Sequence, residues 1–457
     1  MMEFLNRNDE IGLLRQFLDR DNPSFIVIYG RRRCGKSRLI KQVLKPGDVY
    51  FQADRQESVL QREVLVQTVS ETLEIPYEAG FKNWESLFLD LNRVLPANQT
   101  LVMDEFPYLL KNDPALPSIL QRLIDGKKLN YHLILCGSSQ NVMSEMVKNG
   151  QEPLYGRANT IMNIKPLLPG WIRDALQLDD EESIREYAIW GGVPRYWELR
   201  QEYENLESAL LNLVFKRDAI LLDEPMRILL DDLRSAVQPY TILTLIGQGV
   251  HRPSEIAARL EKSMSVLSET LQKLLDLGII RREIPYGENI RSSKRTLYKI
   301  NDPFISFYFR FVLPNKQRID AGLGSQVLTQ AMLFLDEYVA EQWEHLCRLA
   351  IPFLNINGTQ WDLAHRWWGT GKNAKEMEID CIAESFDKKK ILVAEVKWSK
   401  NPNTRNVLNQ LNDCLLNIKG ISNDNNEMVK VLCFRKPVEI ANDFQLILPS
   451  DVLDALR

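Results

Sequence analysis

Apolar positions along this chain change rhythm repeatedly, and each change predicts a different element. "FIVIYG" (25–30) is a continuous apolar run rich in β-branched residues, the pattern of a strand buried on both faces. "TLVMDE" (100–105) and "YHLILCGSS" (131–139) repeat that pattern. From Trp171 to Asp232 apolar residues recur at three- and four-residue spacing with few breakers, which predicts helices. "YTILTLIGQ" (240–248), "RPSEIAARL" (252–260) and "SMSVLSETLQKLLDLG" (263–278) predict three more, the second capped by Ser254. Two apolar runs then flank a polar "PYGEN" tip (285–289), and helix, helix, helix, wing in that order reads as a winged helix-turn-helix. After "NDPFISFYFRFVLP" (301–314) comes a helix, "DEYVAEQWEHLCRLA" (336–350). "EMEIDCIAESFDKKKILVAEVKWSK" (376–400) then predicts strand, charged turn and strand.

With 457 residues, 45% of them apolar, the chain exceeds one hydrophobic core and implies several domains. The net charge of −4 excludes a polycation, so any nucleic-acid contact comes from a local patch. Six scattered cysteines without a C-x-x-C pair argue against a disulfide scaffold and a zinc ribbon. The start, "MMEFLNRNDE", lacks the apolar centre of a signal peptide, and no apolar run approaches the roughly 20 residues of a membrane helix. A cytoplasmic protein with no membrane partner is expected.

The first strand ends in Gly30-x-x-x-x-Gly35-Lys36-Ser37, followed by the helical "RLIKQVL". Glycines at this spacing let backbone N–H groups curl around phosphates; Lys36 carries a charge to the β and γ phosphates and Ser37 holds Mg²⁺. ATP and Mg²⁺ are thus the expected cofactors, with the loop Gly30, Arg31, Arg32, Arg33, Cys34, Gly35, Lys36, Ser37 and Arg38 around them. The three arginines point away from the phosphates, towards an acidic neighbour, a partner subunit, nucleic acid or solvent. Asp104, at the carboxyl end of a buried strand, suits Mg²⁺, and Glu105 suits orientation and deprotonation of the attacking water. Ser138 or Ser139, ending a third strand, can touch the γ-phosphate.

"FLNRNDEIGLL", "YGRRRCGKS", "LVMDEFPYL", "LILCGSS", "PLYGR" and "WGGVPRYW" together resemble the archaeal-type P-loop ATPases, near the AAA+ and STAND ATPases, over about the first 235 residues. The resemblance implies that Arg7 and Glu10 lie near the adenine pocket, and that the loop with Arg157 faces the phosphates or a neighbouring subunit. It places Arg195 on a helical lid, from which an arginine accelerates hydrolysis. Because AAA-type relatives often lend an arginine to a neighbour, it also admits a homo-oligomer.

Between Arg281 and Lys299 six basic residues face two acids, a difference of +4 concentrated on the wing. The candidate recognition helix has one lysine, one glutamate and no arginine, so both DNA contact and a protein-facing role stay open. Further on, period two puts Glu395 and Lys397 on one strand face with Val396 behind. Asp380 and Glu395, with Glu344 from the helix, can chelate Mg²⁺, while Lys397 activates water or stabilises developing charge. The helix glutamate, "RWWGTGKNAKEMEIDCIA" and E-x-K resemble the PD-(D/E)xK nuclease superfamily, in the variant found behind archaeal-type ATPases, over about the last 130 residues.

The expected fold class is therefore α/β, a P-loop NTPase core (1–165) with a helical lid (166–235), a winged helix-turn-helix (236–315) and a restriction-endonuclease-like domain (316–457). The expected function is ATP hydrolysis that controls a Mg²⁺-dependent nuclease-like domain on DNA, in DNA processing or defence. The alternative is a signalling ATPase whose winged helix and nuclease-like domain only bind nucleic acid or protein.

Overall fold

The computed structural model describes residues 4–77, 80–233, 235–418, 427–439 and 444–457. The chain divides into two compact units. One comprises Glu3–Leu167 and Arg227–Arg234; the other holds Leu168–Met226 and Ser235–Arg457. The backbone therefore passes between units at 167–168, 226–227 and 234–235.

In the first unit β1 (Phe25–Tyr29), β2 (Val49–Gln52), β3 (Thr100–Asp104), β4 (His132–Gly137) and β5 (Thr160–Asn163) form a parallel sheet in the order β2-β3-β4-β1-β5. Every residue of β1, β3 and β4 is buried, as expected of a parallel sheet covered on both faces. Each fully buried aliphatic here contributes about 1.5–3 kcal/mol relative to exposure. Trp84, Leu87, Phe88 and Leu91, on one stripe of the helix Trp84–Val94, join Val27, Leu101 and Leu133 in this core. β4 lies between β1 and β3, so the loops leaving all three meet at one sheet edge.

The second unit opens with helices Trp171–Leu176, Asp180–Trp190, Pro194–Arg200 and Leu206–Leu213. This stretch, expected to form a lid for the nucleotide site, is built into its own unit: Trp190 stacks on Phe304 at 6.2 Å and the Tyr338 hydroxyl donates to the Ala188 carbonyl. Helices Val237–Gly247, Pro253–Arg259 and Met264–Asp276 follow, with β6 (Ile280–Glu283) antiparallel to β7 (Leu297–Ile300). Ser254 is not the cap that was expected. Pro253 takes the first helical position, where its missing N–H costs nothing, and the cap falls on Arg252. The helix Pro303–Phe307 runs on into a π-helical turn, Tyr308–Val312.

The last sheet has the order β12-β11-β10-β9-β8, from β8 (His365–Thr370), β9 (Glu376–Glu384), β10 (Lys390–Lys397), β11 (Glu427–Phe434) and β12 (Phe444–Ile447). β8, β9 and β10 are antiparallel neighbours, and β10, β11 and β12 are parallel. The helix Thr404–Asn417 supplies the crossover that parallel β10 and β11 require, and its Val407 and Leu411 bury against Ile379, Val393 and Leu432. The register of β8 on β9 shifts between His365 and Trp367, which pair with Ile382 and Ile379. Asp380 and Cys381 thus oppose Arg366 alone, a β-bulge.

Candidate functional sites

The loop after β1 closes because two glycines take backbone conformations that other residues avoid. At Gly30, φ is +154° and a Cβ would lie 2.3 Å from the Ile164 carbonyl oxygen; Gly35, at +89°, caps the helix Lys36–Lys41. The Lys36 ammonium donates to the carbonyls of Gly30 (2.8 Å) and Arg31 (3.2 Å). Ser37 Oγ donates to Asp104 Oδ2 at 2.7 Å, which joins the two expected Mg²⁺ ligands, and the Tyr50 hydroxyl donates to the same oxygen. Burial pushes the Asp104 carboxyl up, but hydrogen bonds from Cys136, Tyr50, Ser37 and the Glu105 N–H outweigh it and hold the group ionised. These acceptors and the loop's amides fit a nucleotide phosphate with its cation.

Glu105 adopts a left-handed backbone, φ +53°, and its carboxylate accepts from Ser138 Oγ at 2.7 Å. Ser139 turns elsewhere. Its hydroxyl approaches Asp232 Oδ1 at 3.4 Å, and the same oxygen accepts the Asn141 N–H at the start of the helix Gln140–Lys148. Arg32 meets an acidic neighbour, Asp231, at 3.7 Å; Arg31 and Cys34 are buried, and the Arg38 guanidinium lies over the Phe4 ring. Arg7 binds Glu10 at 2.8 Å and reaches the Cys34 carbonyl of the loop.

Arg157, whose loop was expected to face the phosphates or a neighbouring subunit, is engaged with Asp125. It holds both oxygens of Asp125, at 2.8 and 2.9 Å, just before β5 and at the amino ends of the strands, whereas the loop follows a carboxyl end. Arg195 belongs to the second unit, where it pairs with Glu198 at 3.0 Å.

In the second unit, single oxygens of Glu344, Glu378 and Asp380 lie within 4.8 Å of one another. Glu344 comes from the middle of the helix Leu335–Ala350, the other two from β9. Glu395 stands beside this trio without belonging to it, with Oε1 2.7 Å from the Lys397 ammonium, itself 4.0 Å from Asp380 Oδ2. Asp380 Oδ2 accepts the Val396 N–H at 2.8 Å, a bond that fixes the carboxylate against β10. Burial and then the nearby Asp380 push Glu344 and Glu395 each up to about 7, and burial raises Asp380 as well. Burial lowers Lys397, but Glu395 and Asp380 more than offset it, so the ammonium stays protonated. Crowded, poorly solvated carboxyls suit a divalent cation with oxygen ligands.

A profile of ATPase domains predominantly from Archaea matches residues 4–199, and one of archaeal and bacterial proteins of unknown function matches residues 308–408. The chain is 31% identical over 410 residues to an uncharacterised protein of Methanocaldococcus jannaschii, across 86% of this chain and 87% of that one. The chain belongs to the archaeal-type ATPase family. A shorter ATP-binding protein of the same organism is 40% identical over 42 residues, 9% of this chain and 71% of that one. The fold of a Walker-type ATPase from Pyrococcus abyssi is similar too, with TM-score 0.51 and 20% identity over 67% of this chain and 96% of that one. Among the described residues of this ATPase, no helix is long and apolar enough to cross a membrane.

Sequence reasoning missed Glu378 and the arginine that holds it. Arg366 of β8 binds Glu378 through Nε (3.0 Å) and Nη2, and binds Glu283 of β6 through Nη1 at 3.0 Å. Arg281 completes the series, donating to Glu283 at 2.8 Å. Spacing two before Asp380 was the available signal for Glu378; nothing in the sequence signalled Arg366. The wing is also turned inward. The Tyr286 N–H donates to the Arg366 carbonyl at 2.8 Å, and Arg295 donates to the Trp368 carbonyl. Of its six basic residues only Arg282, Arg291 and Lys294 are exposed, and the single lysine of the expected recognition helix, Lys273, pairs with Glu269 at 2.6 Å.

Proposed function

We propose that this ATPase uses its nucleotide state to control a Mg²⁺-dependent, PD-(D/E)xK-like nuclease domain at residues 316–457 that acts on DNA. The observation that carries the reading is the convergence of Glu344, Glu378 and Asp380 beside the Glu395–Lys397 pair. Those carboxylates are the ligands for Mg²⁺, which when bound polarises a phosphodiester and lowers the pKa of its water. Lys397, held protonated, stabilises the charge that develops on the phosphate rather than removing a proton. At the other site Lys36, Ser37 and Asp104 hold ATP and Mg²⁺, and Ser138 keeps Glu105 aimed at the attacking water.

Residues 236–315, read as a winged helix, act chiefly by holding the nuclease-like domain, since Arg281 and Arg295 of the wing are engaged with it or with the wing itself. Three exposed wing cations are left for a DNA backbone. The test is incubation of the purified protein with plasmid, linear and branched DNA, with Mg²⁺ or Mn²⁺, with and without ATP. Cleavage that disappears in Asp380→Asn and changes its ATP response in Lys36→Ala is expected. A wild type that cuts none of these substrates with either metal leaves only the binding role.

A further inference from the structure

A cavity of about 350 Å³ in the second unit lies among the helix Val237–Gly247, the β6–β7 hairpin, the π-helical turn and the helix Leu335–Ala350. That volume is in the range of small-molecule sites. Its wall contains Gln342, only 7% exposed, and Lys299, yet among the described residues neither side chain has a hydrogen-bond or close ion-pair partner. Both side chains line the cavity, so their donors are open to an occupant of that space. Burial holds the Lys299 ammonium below its ordinary value, and the carboxylates of Glu283 and Glu341, both beyond ion-pair distance, only partly offset it.

The rest of the wall says what that occupant is. Arg281 and Arg310 add guanidinium charge, though Arg281 also donates to Glu283 and the Ile300 carbonyl and Arg310 to Glu337; the only carboxylate lining the space, Glu341, is bound by Arg310 at 2.7 Å. Burial, and then Lys299, hold His251 low, so it is neutral at neutral pH and adds no charge. Donors thus outnumber free acceptors. Arg310 sits in the π-helical turn, an irregularity frequent at functional sites.

We propose that this cavity binds a small phosphate-bearing anion, with Lys299 as its counter-ion and Gln342 as a neutral donor. Several oxygens on one centre let a phosphoryl group meet the ammonium, the amide and a guanidinium together, which a single carboxylate cannot do. This site is separate from the nucleotide loop, and it does not depend on nuclease activity.

The experiment is calorimetric titration of the full-length protein, its nucleotide loop first filled with a non-hydrolysable ATP analogue and Mg²⁺. Inorganic phosphate is one arm and ribose 5-phosphate the other; the tighter of the two tells whether the free ion or an ester is the natural source. Saturable binding that weakens about tenfold or more in Lys299→Met and returns in Lys299→Arg is expected, as for loss of a charged hydrogen bond. If Lys299→Met does not fold, Gln342→Leu carries the same comparison. Absence of saturable binding of both probes to the wild type overturns the proposal, as does equal affinity in the variants. So does a structure from phosphate-soaked crystals with only water in the cavity.

Discussion

In the nucleotide unit the groups expected to meet ATP are already partnered: Lys36 with two loop carbonyls, Ser37 with Asp104, and Glu105 with Ser138. In the C-terminal sheet Glu344 and Glu395 are instead raised to about 7 by burial and by Asp380, and their charges are left competing. The first site gathers donors suited to an anion, each also satisfied within the protein. The second accumulates like charge, which a cation relieves. Ligand-free stability therefore separates the two: filling the first exchanges one set of hydrogen bonds for another, whereas filling the second removes a repulsion.

The largest expected effects come from crossing the two sites. Lys36→Ala lowers ATP turnover about a hundredfold or more, as loss of a preorganised charge does, and leaves Mn²⁺ binding at the carboxylates unchanged. Asp380→Asn removes that Mn²⁺ binding and leaves ATP turnover intact. Turnover assays and Mn²⁺ titration by electron paramagnetic resonance decide both, and a variant that damages both sites alike breaks the separation. Next comes Glu283→Gln, which keeps the shape but frees Arg366 from one of its two carboxylates. Arg366 then pairs wholly with Glu378 and competes with the metal, so Mn²⁺ affinity falls about tenfold. An unchanged affinity shows that the series ending at Glu378 is only structural.

Ser138→Ala removes the hydroxyl that orients Glu105 and lowers ATP turnover about tenfold with little change in KM. The smallest effect concerns pH. Asp232 is raised from 3.8 to about 6, first by burial, so its protonated form is favoured in the fold. Its stabilisation is full below about 4 and is lost as pH climbs through about 6, roughly 3 kcal/mol in all. Melting curves of the wild type thus fall more steeply between those limits than those of Asp232→Asn; parallel curves would refute the assignment.

Local signals were legible wherever a single stretch decides the outcome. Three apolar runs gave β1, β3 and β4, the glycine spacing gave the loop, and the charged turn between two strands gave β9 and β10. What stayed hidden depends on a partner element. The bulge at Asp380–Cys381 exists only in the register with β8, so it could not be read from the β9 sequence alone. Of the two places expected for Arg157, its position disfavours the phosphates, because the loop before a parallel strand lies at its amino end, the edge away from them. The basic wing left DNA contact and a protein-facing role open, because nothing in "PYGEN" reveals that Tyr286 pairs with Arg366 of β8.

The segment Arg227–Arg234 returns to the nucleotide unit after a stretch of 59 residues (168 to 226) has been spent in the other. No single cut releases the ATPase intact: a fragment ending at Leu167 loses Asp231, which meets the phosphate-loop Arg32, and Asp232, which caps the helix after β4. Separate production of the nucleotide unit therefore requires residues 227–234 as well as the stretch up to 167.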